Sequence, residues 1–144
     1  MGDRCYVEIT YEAEDDALLK EHLEFDKDEE FEQQEEVLGI IEGSDCDVNY
    51  GYYNQLQKAA AAGVVFIASN GAGSDYGPGY MLGFEGKSYY HGVTFDGGLA
   101  VEVSKDGNVS DSQMVAVREF LAIQAKIDAR FEAVRQQHQE GAVV

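Results

Sequence analysis

Gly71, Gly73 and Gly77 lie in the stretch SNGAGSDYGPGY (69–80) and raise the first chemical question. A glycine-rich loop holds phosphate when a helix begins directly behind it, because the free N–H groups and dipole of the first turn face the anion. Here the spacing is G-x-G-x-x-x-G, one residue longer than the dinucleotide fingerprint, and Pro78 and Gly79 come next. YMLGFE (80–85) then has the pattern of a strand, not of a helix. Asp75 adds a carboxylate inside the loop, and G-x-x-x-x-G-K-[ST] does not occur. The loop therefore reads as a surface connection rather than a phosphate cradle. Its tyrosines, Tyr76 and Tyr80, suit either packing in a sheet or contact with a partner.

Other reactive groups are similarly scattered. DCDVNYG (45–51) opens like a calcium loop, but the sixth and twelfth positions, which need Gly and Glu, hold Tyr50 and Leu56. His22, His91 and His138 lie far apart, and Cys5 and Cys46 lack the C-x-x-C spacing of a zinc site. Asp45 and Asp47 flank Cys46 and disfavour its thiolate. Ser69, His91 and Asp96 have the groups of a hydrolytic triad but no G-x-S-x-G, so only tertiary placement would join them. Carboxylates are too abundant to single out an acid–base pair. These residues predict a protein that is not an enzyme, with no cofactor and no metal.

The elements that must position these residues follow from periodicity. CYVEITYE (5–12) alternates, with Cys5, Val7, Ile9 and Tyr11 on one side, and predicts a half-buried strand. EDDALLKEHLEF (14–25) predicts a helix with Ala17, Leu18 and Phe25 inward. Asp26 to Glu36 has few apolar anchors and suits a solvated helix or a loop. CDVNYGYY (46–53) predicts a short strand, and YYNQLQKAAAAG (52–63) a helix that Gly63 terminates. VVFIAS (64–69) predicts a buried strand. YMLGFE, SYYHGVTF and LAVEVS, separated by turn residues, predict an antiparallel meander. Ser110 and Gln113 form a capping box before a helix whose apolar face is Val117, Phe120, Leu121, Ile127, Phe131 and Val134. The sum is one α+β domain over 1–144: a mainly antiparallel sheet, helices on one face, a long C-terminal helix, an acidic segment at 24–36 and a frayed tail at 140–144.

Charge is the outstanding feature. The formal net charge is −18, yet seventeen of the 28 acidic residues fall between Glu8 and Asp47, where Lys20 and Lys27 are the sole basic residues. That span alone carries −15. So acidic a chain is repelled by anionic membranes and by nucleic-acid phosphates, and no apolar run is long enough to span a bilayer. Without a signal-peptide pattern the expected location is the cytoplasm, with reduced cysteines. A charge run often does no more than keep a protein soluble, but −15 in forty residues costs folding free energy through self-repulsion. Complementarity to a basic surface is the functional reading. On a helix rising about 1.5 Å per residue, Asp28, Glu32, Glu35 and Glu36, broadened by Glu29 and Glu30, would form a stripe comparable to the one charge per ~1.7 Å of B-DNA.

GDRCYVEIT (2–10), VNYG (48–51) and GAGSDYGPG (71–79) resemble small acidic proteins of phages and mobile elements, the anti-CRISPR and anti-restriction type. That resemblance implies inhibition by DNA mimicry of a basic nucleic-acid-binding complex in a bacterial host cell, and it supplies no catalytic residues. The expected partner-binding residues are Asp26, Asp28, Glu29, Glu30, Glu32, Glu35, Glu36, Asp45, Asp47, Tyr76 and Tyr80. Two alternatives share the same features: an immunity protein or antitoxin that caps a basic nuclease toxin, and a small-ligand module built on the 69–80 loop and Tyr89–Tyr90.

Overall fold

A computed structural model describes residues 4–23, 33–49, 52–73, 77–94 and 96–141. Six strands form one antiparallel sheet: β1 (Arg4–Glu12), β2 (Gln33–Val37), β3 (Ile40–Asn49), β4 (Phe66–Asn70), β5 (Gly79–Phe84) and β6 (Lys87–Gly92). The strand order is β2-β3-β1-β4-β5-β6. Three α-helices join them: α1 (Asp16–Leu23), α2 (Tyr53–Ala61) and α3 (Asp111–Gly141). The α+β class, the antiparallel sheet and the long C-terminal helix are as the sequence predicts.

Strand alternation sorts the core into two layers. In β1, Val7, Ile9 and Tyr11 are fully buried; with Ile41, Phe66, Ala68 and Met81 they meet Leu19 and Leu23 of α1 and Leu56, Ala59 and Ala60 of α2. The intervening positions Ile40 and Leu82, together with Ile67, face the other way and pack with Phe120, Ile127 and Phe131 of α3. Helices thus cover both faces, not one. The correction has a simple cause: Phe66, Ile67 and Ala68 are consecutive apolar residues, and a strand that is apolar on both sides needs cover on both.

Local details differ from the sequence reading in instructive ways. The inward face of α1 is Leu19 and Leu23, one turn apart, while Ala17 is exposed and Leu18 half-buried; Phe25 lies outside the described residues. The expected short strand at 46–53 is the end of the ten-residue β3. Gln33–Val37 is a strand, so Glu35 and Glu36 fall on opposite faces and no helical stripe runs through them. LAVEVS adds no strand: Val93 bridges Leu99, but Val101 and Val103 are exposed beyond it. On α3, Leu121 is 49% exposed because it lies about 100° around the helix from Phe120. The helix also continues to Gly141, into the stretch expected to fray.

One helix end is built as predicted and a second in part. Gly63 has φ +101 and closes α2, donating to the Ala60 carbonyl while Val64 donates to that of Ala59. At the start of α3 the Gln113 N–H donates to Ser110 Oγ at 3.3 Å. The Gln113 amide does not reach back to the cap backbone. It takes up the backbone N–H and C=O of Glu102 at 2.6 and 3.1 Å, holding the extended 100–104 segment against the helix start.

Candidate functional site

The sheet order turns a skew in sequence into a skew in space. β2, β3 and β1 are neighbours and all derive from the acid-rich first 49 residues, whereas β4, β5, β6 and α3 derive from the nearly balanced remainder. One half of the sheet is therefore strongly acidic.

On that half, the face shared with α3 carries Tyr6, Glu8 and Thr10 from β1, Glu42 and Ser44 from β3, and Glu35 from β2. Register brings the glutamates together. Glu35 pairs directly with Glu42, and Glu42 pairs with Thr10, two residues from Glu8. Directly opposed Cβ atoms are about 5 Å apart and diagonal neighbours about 7–8 Å. Three exposed carboxylates thus cross three adjacent strands. Two recesses of about 200 and 210 Å³ share Glu35 and Glu42 and form a groove. Tyr6, Glu8 and Ser44 line one end; Val37, Ile40 and Arg135 of α3 line the other.

Tyr6 stands opposite an irregularity in β3. The register slips between Cys5 and Val7, which sets Cys46 and Asp47 of β3 opposite Tyr6 alone. The extra residue belongs to β3, so β3 bends there while Tyr6 keeps the alternation of Glu8 and Thr10 along β1. Tyr6 is 46% exposed, and its carbonyl accepts from the Gly71 N–H at 2.8 Å. The glycine-rich loop is thereby tied to the rim of the acidic groove.

The expected partner-binding residues divide sharply. Glu35 lies in the groove. Glu36 is exposed on the opposite face of β2. Asp45 is only 8% exposed, on the α2 side, where Tyr52 Oη donates to its carboxylate at 3.3 Å, so it is not part of an acidic surface. Tyr80 is half-buried against the α3 layer. Asp47 lies in β3, and Asp26, Asp28, Glu29, Glu30, Glu32 and Tyr76 lie outside the described residues. Glu8 and Glu42 were missed by looking for charge runs. Both alternate with buried residues in single strands, and only the pairing of β1 with β3 makes them neighbours.

The glycine loop runs from β4 into β5, so no helix begins directly behind it; Asn70 Nδ2 donates to the carbonyls of Gly71 and Gly77 across it. Beside it, the space between Tyr53, Leu56, Met81 and Tyr90 is about 10 Å³, room for about one water. His91 uses Nε2 on the Ala100 carbonyl at 2.7 Å. No group of three metal-ligating side chains occurs among the described residues. None of their helices is long and apolar enough to cross a membrane.

Two neighbouring carboxyls outside the groove respond to acid in opposite ways. Burial, then the nearby Glu12 carboxylate, pushes Asp15 up from the usual aspartate range, although the Val65 N–H and Arg130 pull it down. Burial also acts on Asp16, but hydrogen bonds from Tyr11, at 2.6 Å, and Lys20 hold it below that range. Lys20 Nζ lies 3.1 Å from the Asp16 carboxylate, and Gln34 of β2 donates to both Asp16 and Tyr11, so the cluster ties α1 to the sheet. A raised native pKa adds stability below the unfolded value of ~3.9 and loses it as pH rises through the native value. Asp15→Asn is therefore expected to be more stable than the native chain at pH 7, with the gain vanishing in acid. Asp16→Asn is expected to be less stable at pH 7 and to converge on the native chain as pH falls. Urea titrations between pH 3 and 7 measure both, and an Asp15→Asn chain that is weaker at pH 7 refutes the assignment.

No family model, no curated protein and no solved structure matches the chain.

Proposed function

We propose that the chain is a non-enzymatic acidic inhibitor that occupies the nucleic-acid groove of a basic protein complex, by DNA mimicry, as anti-CRISPR and anti-restriction proteins do. The observation that carries this reading is the Glu8–Glu42–Glu35 row. It sits on an open sheet face, beside exposed Tyr6, in the half of the sheet that concentrates the negative charge. Like charges directly opposed across strands cost stability, and a face retained at such a cost suits a partner of opposite sign. Tyrosine at the rim adds a rigid contact of large area, and an arginine plane can stack on it.

The experiment is affinity capture from bacterial lysate at low and moderate salt, with duplex DNA as competitor. A nucleic-acid-binding complex that is retained at low salt and released by duplex supports mimicry. Retention that ignores both salt and duplex removes it.

A further inference from the structure

LAVEVS (99–104) has the residue pattern of a strand, yet only its first two residues are tied to the end of β6. Along the segment every second residue has its backbone satisfied. The Ala100 N–H donates to the Gly92 carbonyl at 2.9 Å, and the Ala100 carbonyl accepts from His91 Nε2 at 2.7 Å. Both backbone groups of Glu102 are taken by the Gln113 amide. Ser104 donates to the Asn108 carbonyl at 2.8 Å and accepts from the Gly107 N–H at 2.9 Å. In an extended chain alternate residues turn N–H and C=O to the same edge, so this edge is fully used. Leu99, Val101 and Val103 turn theirs to the other edge, where no hydrogen bond reaches them among the described residues. Val101 is 38% and Val103 61% exposed.

Unpaired N–H and C=O groups at strand spacing, set between exposed valines, fit one kind of occupant, another extended chain. The order of the residues selects a second copy of this one. Antiparallel pairing about Val101 sets Val101 opposite Val101, Leu99 opposite Val103 and Ala100 opposite Glu102 of the second copy. Leu99, Val101 and Val103 then all occupy hydrogen-bonded positions, where each facing pair exchanges two bonds. Two-fold symmetry about Glu102 instead would oppose two glutamates, which costs stability. The pairing stops where the chain turns away, at Thr94–Gly98 and Ser104–Asn108. Net charge agrees with this choice. The segment lies at the β6 end of the sheet, and the acid-rich strands β2, β3 and β1 lie at the other. Two copies therefore meet through their nearly balanced halves and keep the acidic halves apart.

We propose that the outer edge of Leu99–Val103 is a self-association site, on which the same segment of a second copy pairs antiparallel about Val101. The site is remote from the acidic groove, so the inference stands or falls independently of the inhibitor reading.

Sedimentation equilibrium and amide hydrogen exchange of the full chain test it. The native protein is expected to dimerise, with exchange at Val101 and Val103 slowing as concentration rises. Val101→Pro removes the N–H that each copy donates to the other, and breaks no hydrogen bond within the monomer. It is expected to weaken the dimer about tenfold or more. Val101→Asp places two carboxylates opposite each other on the two-fold axis and is expected to weaken it similarly. Val101 is exposed, and circular dichroism of each variant confirms that the fold is retained. A native chain that stays monomeric over the accessible concentration range overturns the proposal and leaves the edge to a strand of another protein. So does a dimer indifferent to either variant, or one in which the Val101 and Val103 amides exchange as fast as in the monomer.

Discussion

Replacing Glu8, Glu35 and Glu42 together with glutamine is expected to weaken binding to the captured basic partner by tenfold or more while raising the melting temperature of the free protein. An exposed ion pair contributes about 0.2–1 kcal/mol. Three lost together come to roughly 0.6–3 kcal/mol, and 1.4 kcal/mol is a factor of ten. Loss of long-range steering slows association further, most strongly at low salt. Stability moves the other way. Glu35 and Glu42 are directly paired across β2 and β3, and relieving a like-charge cross-strand pair returns a few tenths of a kcal/mol up to about 1. Calorimetric titration and thermal denaturation on the same samples read both effects. Unchanged affinity removes the groove from the function. A lowered melting temperature shows instead that the glutamates serve the fold.

The second large effect is in the core. Gly83 is paired with Phe66 across β5 and β4, and a Cβ at Gly83 would lie 2.5 Å from the Phe66 ring and 2.8 Å from the Val64 carbonyl oxygen. Phe66 is fully buried. Phe66→Ala is expected to cost about 3–5 kcal/mol, through lost burial and an unfilled cavity. Gly83→Ala is expected to cost about 1–3 kcal/mol through overpacking. The informative variant is the double one. The cavity left by Phe66→Ala is where the new methyl group goes, so the two costs are expected to fall short of additivity by about 1 kcal/mol. Recovery is partial, because the Val64 carbonyl belongs to the backbone and cannot withdraw. Urea denaturation of the four proteins closes the cycle. Strict additivity would mean that the sheet itself shifts to admit the methyl group and that the ring is not what Gly83 accommodates.

How far each feature was legible in the sequence follows from the range of the interactions that create it. Gly63 and Ser110 mark helix ends correctly because capping is settled within a few residues of the same chain segment. The buried side of β1 is legible for the same reason: Val7, Ile9 and Tyr11 recur with the strand period. Gly79–Phe84 likewise has the pattern of the strand it forms behind the glycine loop.

Elsewhere local pattern was a poor guide. Charge density suggested a helical stripe through Glu35 and Glu36, but β2 pairs with β3 and sends the two glutamates to opposite faces. Asp45 looked like surface charge beside Asp47, yet it is buried, with Tyr52 donating to it. Leu121 fits the apolar spacing of α3 loosely and turns outward by a quarter of a turn.

The sequence alone thus determined the class, the long C-terminal helix, the local caps and the concentration of negative charge in the first third of the chain. All of these are sums over composition or over neighbours close in sequence. Tertiary structure alone decided that Glu8, Glu42 and Glu35 form one row. It also decided that Tyr6 stands at its end and that α3 takes the face opposite α1 and α2. The physical reason is that the register of β1 on β3 couples Thr10 to Glu42, far apart in sequence, and a shift of a single residue would send every one of these side chains to the other side of the sheet.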